Sequence, residues 1–351
     1  MAPMTRNRGV PVPNQDRMWM TDDVVALYYS QRASPGGLII TEGIPPSLKA
    51  AGMPNVAGIF HETQITGWRK VMGSVHAKGG VIYAQLWHAG RTTIPQFTGC
   101  PVVSASSVPW ETEDAYPFRT PDTKEKIRYR DFPSVEMTRD QIAQTTRDFV
   151  KAAERAIAVG FDGVELNAGN GNLIDQFLHS NLNLRSDEYG GSPEARCKFP
   201  LDLLDAVASA TGPSNVAIRL EPACSYQGTY GMERVETWSY LCSQIASKYS
   251  GSSEKLSYKV GIPCISCGGW DESNVSDGVK QGWDGIAFAR WFVSNQDLVE
   301  RLRTGAKLQD FDRSRFYGSW DGERGHGYTD YPKAGETGDF EMDASGKIVY
   351  E

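Results

Sequence analysis

The strongest constraint in this sequence is a recurrence of short, apolar, β-rich runs separated by helical patterns. LIITE (38–42), VIYAQL (81–86), GVELN (163–167), VAIRL (216–220), PCISC (263–267) and GIAFA (285–289) are mostly apolar throughout rather than alternating. A strand with apolar residues on both sides must be covered on both faces, which is the condition of a parallel sheet under helices. Between these runs lie patterns such as TRDQIAQTTRDFVKAAERAIAVG, where Thr138 is placed to cap the first turn and Gly160 to end the helix. Glu42, Gln85, Asn167 and Arg219 close four of the runs or come next to their ends. Polar residues gathered at strand C-termini favour the α/β class in its (β/α)8 TIM barrel form, whose active site lies at that face. With no internal repeat and no linker, residues 1–335 are expected to form one barrel domain and 336–351 a C-terminal tail.

Counting strands exposes two departures from a full barrel. The first strand must fall on residues 1–4, so the barrel reads as shortened at its N-terminus. Between VAIRL and PCISC only about 40 residues are available where a βα unit and a further helix are needed. LCSQIASKYSGSSEKLSYKVG supplies one helix and a stub of strand at 256–258, so the region of the sixth strand also reads as shortened. Residues 93–132, rich in Pro, Ser and Thr, form a long excursion of the kind that serves as a lid or substrate wall. Trp110, Tyr116 and Phe118 are its candidate lid aromatics.

Charge and cysteine usage narrow the function classes. The chain has 36 basic and 43 acidic residues, a formal net charge of −7, and no run of Lys or Arg. That balance argues against nucleic acid or an anionic membrane as partner and leaves small molecules. No window reaches the roughly 18 apolar residues of a membrane span, and no signal-peptide core opens the chain, which gives a cytoplasmic reading. The six cysteines are too sparse for a disulfide scaffold. Cys264 and Cys267 form a CxxC, but on a strand residues three apart face opposite ways, and no second Cys pair or HExxH completes a site, so no metal is expected.

The stretch GFDGVELNAGNGNLIDQF places Asn167, Asn170 and Asn172 where a strand gives way to a helix. Amides at that position can donate hydrogen bonds to a carbonyl oxygen, but they are too weakly acidic to move a proton at neutral pH.

Several blocks then carry a specific likeness. APMTR (2–6), YYSQRASPGGLIITEG, QLWHAGR (85–91), GFDGVEL, LIDQFLHSNLNLRSDEYGGSPEAR and FARWFVSNQDLVERL resemble, in order, the old yellow enzyme family of FMN-dependent ene reductases. The resemblance covers the chain to about residue 332. It implies a (β/α)8 barrel with FMN at its C-terminal mouth, hydride from NADPH or NADH, and an α,β-unsaturated carbonyl substrate that receives its proton from a tyrosine. It also implies cofactor contacts from Pro3, Met4 and Thr5, a contact from Gln85, a cation for the reduced ring from Arg219, and a phosphate site at the backbone of Gly268, Gly269, Ala289 and Arg290. Where the family commonly has glycine this chain has Ala289, a change costing on the order of 1 kcal/mol if the backbone there is left-handed. Asn167 and Asn170 take the places of the family's carbonyl-binding pair. Neutral amides make a weaker but pH-independent version of this oxyanion-type stabilisation.

The resemblance further puts Asn172 in the place of the tyrosine acid. Tyr317 is placed at the pocket wall and is a substitute candidate for that acid, Tyr28 and Tyr29 on a helix near the cofactor, Trp87 behind the ring, and His88 in a structural role. The leading expectation is therefore an FMN-dependent oxidoreductase acting on an activated C=C bond, in a specialised secondary-metabolite pathway, with a homodimer as an option. The lost acid keeps open a redox-neutral isomerase or cyclase. A non-catalytic ligand-binding barrel is the third reading.

Overall fold

A computed structural model describes residues 1–120, 123–250, 262–317 and 323–336, together with two short strand segments at 341–342 and 348–349. After an antiparallel pair, β1 (Val10–Pro11) and β2 (Trp19–Met20), strands and helices alternate. The order is α1 (Asp23–Arg32), β3 (Leu38–Ile40), α2 (Glu62–His76), β4 (Val81–Leu86) and α3 (Pro95–Thr98). Next come β5 (Val103–Ser104), β6 (Val135–Glu136), α4 (Arg139–Val159), β7 (Gly163–Ala168), α5 (Leu173–Leu178), α6 (Pro193–Arg196), α7 (Lys198–Thr211) and β8 (Val216–Leu220). The series ends with α8 (Arg234–Tyr249), β9 (Ile265–Cys267), α9 (Val275–Lys280), β10 (Gly285–Ala287), α10 (Arg290–Ser294) and α11 (Leu298–Thr304).

β3, β4, β7 and β8 form one parallel sheet, and β9 pairs in parallel with β10. Residues 1–4 join the two sheets. Met1 O accepts from Ile40 N at 3.0 Å, and Ala2 N donates to Phe288 O at 2.8 Å. This segment therefore fills the slot expected of the first strand, with Ala2, Met4 and Arg6 buried and Pro3 and Thr5 half-buried in strand-like alternation. The staves follow one another in the order of a (β/α)8 barrel. The expected strand stub at 256–258 lies outside the described residues.

Local sequence accounts for the elements. Thr138 and Gln141 form a capping box on α4, with reciprocal bonds of 3.2 and 2.8 Å, and Gly160 ends the helix at φ 112°. Phe149, Ala152, Ala153 and Ala156 turn into a core shared with α2 and α7, where Trp68, Val71, Phe199 and Leu203 are also fully buried. Burying each large side chain of this kind contributes about 1.5–3 kcal/mol. None of the described helices is long and apolar enough to cross a membrane.

Two features shape the mouth. The 93–132 excursion has its own small core, in which Trp110 stacks on Tyr129 at 4.4 Å and Tyr116 is fully buried. Trp110 and Tyr116 are thus interior packing residues of the loop rather than an exposed lid. A second cluster ties the C-terminal part to residues 1–8: Tyr28 stacks on Tyr328 at 4.0 Å, with Arg32 against the Tyr28 ring at 3.7 Å. Arg6 donates to Tyr28 Oη, Phe316 O and Gly327 O. Arrays of this kind combine cation–π attraction with satisfied donors, so the buried cations are stabilised.

Candidate active site

Strand register brings the predicted polar residues together. Gln85 pairs with Glu165, and Asn167 with Arg219, across adjacent parallel strands. Glu165 and Asn167 are two residues apart and share a face, as do Arg219 and Glu221 if the strand direction continues. Gln85 Nε2 donates to Glu165 Oε1 at 2.6 Å, and Gln85 Oε1 accepts from Asn167 Nδ2 at 3.4 Å. Burial pushes the Glu165 carboxyl up, against the opposing pull of Gln85 and Arg219. Arg219 donates to Glu221 Oε1 through Nε at 2.9 Å and Nη2 at 2.5 Å. Burial works against the Arg219 charge, but the acidic partners, Glu221 first, hold its pKa above the ordinary value.

The turn after β7 carries the remaining asparagines. Asn170 sits at φ 57° and Gly171 at φ 70°, a left-handed pair that asparagine and glycine tolerate best. Asn167 Oδ1 accepts from Gly169 N at 3.1 Å, Glu221 Oε2 accepts from Asn170 N at 2.9 Å, and Asp175 Oδ2 accepts from Gly171 N at 2.9 Å. Within the described residues the Asn170 side-chain amide forms no hydrogen bond, and it is half-buried. Asn172 differs: it is buried, stands at the N-cap of α5 without a capping bond, and its Oδ1 accepts from Thr92 Oγ1 at 3.3 Å. Sequence spacing grouped the three asparagines, and the turn separates Asn172 from the other two.

The fit of a flavin mononucleotide can be judged from donors and space. Gly268 and Gly269 adopt φ 104° and 74°, and among the described residues no atom lies within 4 Å of where a Cβ would stand on either. Asn274 Nδ2 holds this turn by donating to Gly269 O at 2.9 Å. The backbone N–H groups of Gly268, Gly269, Ala289 and Arg290 have no backbone acceptor among the described residues. Such a group of free N–H donors beside left-handed glycines suits a phosphate. Ala289 has φ −102°, so the left-handed cost considered from the sequence does not arise. At the other end Thr5, half-buried and making no hydrogen bond among the described residues, stands with Gln85 and Arg219 as polar groups for a ring. Pro3 is half-buried beside it, while the Met4 side chain packs with Val293, Phe316 and Tyr331 and leaves only its backbone for a ligand. These residues fit the cofactor.

The remaining candidates have distinct places. Tyr317 is 53% exposed. Burial of its phenol and nearby Tyr226 raise its pKa, against Arg6, Arg290 and Arg313. Tyr28 and Tyr29 are buried, and Tyr29 Oη accepts from Glu42 N at 2.9 Å, so both support the N-terminal segment. Trp87 packs against Gly43, where a Cβ would meet its ring at 2.5 Å, and its indole N–H has no acceptor among the described residues. His88 Nδ1 accepts from Gly90 N at 3.0 Å, and burial lowers its pKa to about 4, consistent with a neutral structural histidine. Among the described residues no group of three or more His, Cys, Asp or Glu is placed to hold a metal.

Sequence reasoning missed Glu165, Glu221 and Arg91. The first two were detectable as the i, i±2 neighbours of Asn167 and Arg219 on their strands. Arg91 lies against the Trp110 ring at 4.2 Å, a contact set by the folding of the 93–132 excursion and carrying no local signal.

The family model described as NADH:flavin oxidoreductase / NADH oxidase matches residues 1–248. Flavin oxidoreductase hxnT of Emericella nidulans is 40% identical, over 95% of this chain and 93% of that protein. 12-oxophytodienoate reductase 2 of Arabidopsis thaliana is 34% identical, over 96% and 92% respectively. The solved structure of morphinone reductase in complex with tetrahydroNAD superposes with a TM-score of 0.83 at 33% identity, covering 99% of this chain and 94% of that one.

Proposed function

Because this chain belongs to the NADH:flavin oxidoreductase / NADH oxidase family, the old yellow enzymes, we propose that it is an FMN-dependent reductase of α,β-unsaturated carbonyl compounds, drawing hydride from NADH or NADPH. The observation that carries this reading is the pair of amides Asn167, on β7 beside Arg219, and Asn170, the first residue of the left-handed turn that follows. When bound, FMN supplies reversible hydride transfer. The chain's own residues prepare the substrate. The free N–H bonds of the Asn167 and Asn170 amides point donor capacity at a carbonyl oxygen and draw electron density from the β-carbon.

Asn172 is held by Thr92 and is no acid, so it takes no part in proton transfer. Tyr317, 53% exposed, keeps its assignment as a pocket-wall residue by resemblance to the family, and on this reading the α-carbon takes its proton from the solvent side. Departures from the family at Asn167 and Asn172 support a specialised, secondary-metabolite substrate. The named relatives are reductases and an oxidoreductase, which favours net reduction over a redox-neutral or purely ligand-binding role.

An absorbance spectrum tests the proposal. The purified protein should be yellow, with a band at about 450 nm, and should bleach with NADPH or NADH under anaerobic conditions and recover its colour on adding cyclohexenone. A colourless protein that takes up no added FMN would sink it. Bleaching without any turnover of enones would leave the cofactor assignment standing and remove the substrate class.

A further inference from the structure

Glu221 touches both halves of the site. Its Oε1 receives two bonds from the Arg219 guanidinium, at 2.9 and 2.5 Å, and its Oε2 receives the N–H of Asn170 at 2.9 Å. A Cβ on Gly169 would stand 2.7 Å from Glu221 Cγ, so the side chain lies directly along the clamp turn and only glycine leaves it room. Both members of the ion pair are sheltered, with side-chain exposures of 22% for Arg219 and 16% for Glu221. Solvent therefore screens the pair only in part.

Two consequences follow from one carboxylate. Asn170 holds a left-handed backbone at φ 57°, and the side-chain oxygen of Glu221 on its N–H favours that conformation over extended alternatives. The Arg219 cation is also largely compensated before it reaches any ligand. A charge beside a flavin ring sets how readily the ring accepts electrons, so a compensated arginine stabilises the reduced form less than a free one.

We propose that Glu221 is a positioning residue that couples the two parts of the site, fixing and tempering the Arg219 charge while holding Asn170 in its donor-presenting turn. The charge half of this inference rests on the FMN reading above; the coupling to the turn does not.

The test uses the full chain with Glu221→Gln and Glu221→Asp variants, checked for folding by circular dichroism. The bound-flavin midpoint potential is measured by dye equilibration, and amide hydrogen exchange is followed across residues 167–173. Glu221→Gln should raise the potential, because Arg219 regains its full charge, while Glu221→Asp, which keeps the charge, should stay near wild type. Both should speed exchange in the turn. Both should raise the cyclohexenone KM about five- to tenfold, the net weight of one ordinary hydrogen bond, with a smaller change in kcat. An unchanged potential in Glu221→Gln overturns the charge role, and unchanged exchange in both variants overturns the coupling. A wild-type protein that refuses FMN instead brings down the family-based function and the charge role with it, and exchange alone then decides the coupling.

Discussion

Glu42→Gln should make the protein more stable at neutral pH and much less so in mild acid. Glu42 follows β3 at the barrel mouth and is 2% exposed. Its Oε2 accepts from Arg6 N at 3.1 Å. Burial pushes its pKa up from 4.5 to about 7, even though the N–H groups of Arg6 and Asn7 and the charges of Arg6 and Arg8 pull the other way. Desolvation therefore wins over attraction at this site. Between pH 4.5 and about 7 the native protein keeps a proton that the unfolded chain has released, so native binding exceeds unfolded binding and stability falls as pH rises. At about 1.4 kcal/mol per pH unit, the loss is on the order of 3 kcal/mol by pH 7.5 and vanishes below pH 4.5. A glutamine keeps an oxygen for the Arg6 N–H and does not titrate, so it avoids this loss. The assay is urea unfolding of both proteins, followed by tryptophan fluorescence from pH 4.5 to 8. The variant should gain on wild type by about 3 kcal/mol across that range. A stability difference that stays constant with pH would refute the premise that Glu42 is held protonated by burial.

The remaining predictions concern the site and its support. Asn167→Ala and Asn170→Ala should each lower kcat/KM for cyclohexenone by about 10²-fold, the usual weight of one oxyanion donor, while FMN affinity measured by fluorescence quenching stays unchanged. His88 has its pKa depressed to about 4 by burial, so its contribution is complete above the unfolded value of 6.5 and is lost as pH falls towards 4. His88→Asn, which preserves an acceptor for the Gly90 N–H, should flatten the acid limb of the stability profile by up to about 3 kcal/mol in the same urea assay. Gly171→Ala places a Cβ 2.4 Å from Gln227 Cβ on a backbone at φ 70°, and should cost about 1–3 kcal/mol in unfolding free energy and most of the enone turnover. Asn172→Ala loses one long bond to Thr92 and no capping bond; its cost in the same unfolding assay should be under about 1 kcal/mol.

What the sequence disclosed, and what it did not, divides along a physical line. The apolar runs show their strands directly; β7 is buried throughout as such a run predicts, whereas β8 and β10 are only half-buried and β9 is largely exposed, so the pattern marked these three as strands without fixing their cover. Residues 1–4 take the first-strand slot they were assigned. Thr138 and Gly160 mark the two ends of α4 because caps are set by residues next to the helix itself. Side-chain direction after a strand is a different matter. Asn167 continues the period of β7, so its neighbourhood with Gln85 and Arg219 is set by register. Asn172 comes after two successive left-handed residues, which rotate the chain and turn its amide to Thr92, so spacing alone could not say where it points. Ala289 shows the same limit in reverse: a residue type unlike the family's suggested a strained backbone, yet its φ of −102° is ordinary for alanine. The Glu221 contact combines both kinds of information. Its place two residues past Arg219 is local, but its hold on Asn170 depends on the closeness of Gly169, which only the assembled barrel mouth reveals. For that reason the residue proposed to join the two halves of the site is one that no motif singled out.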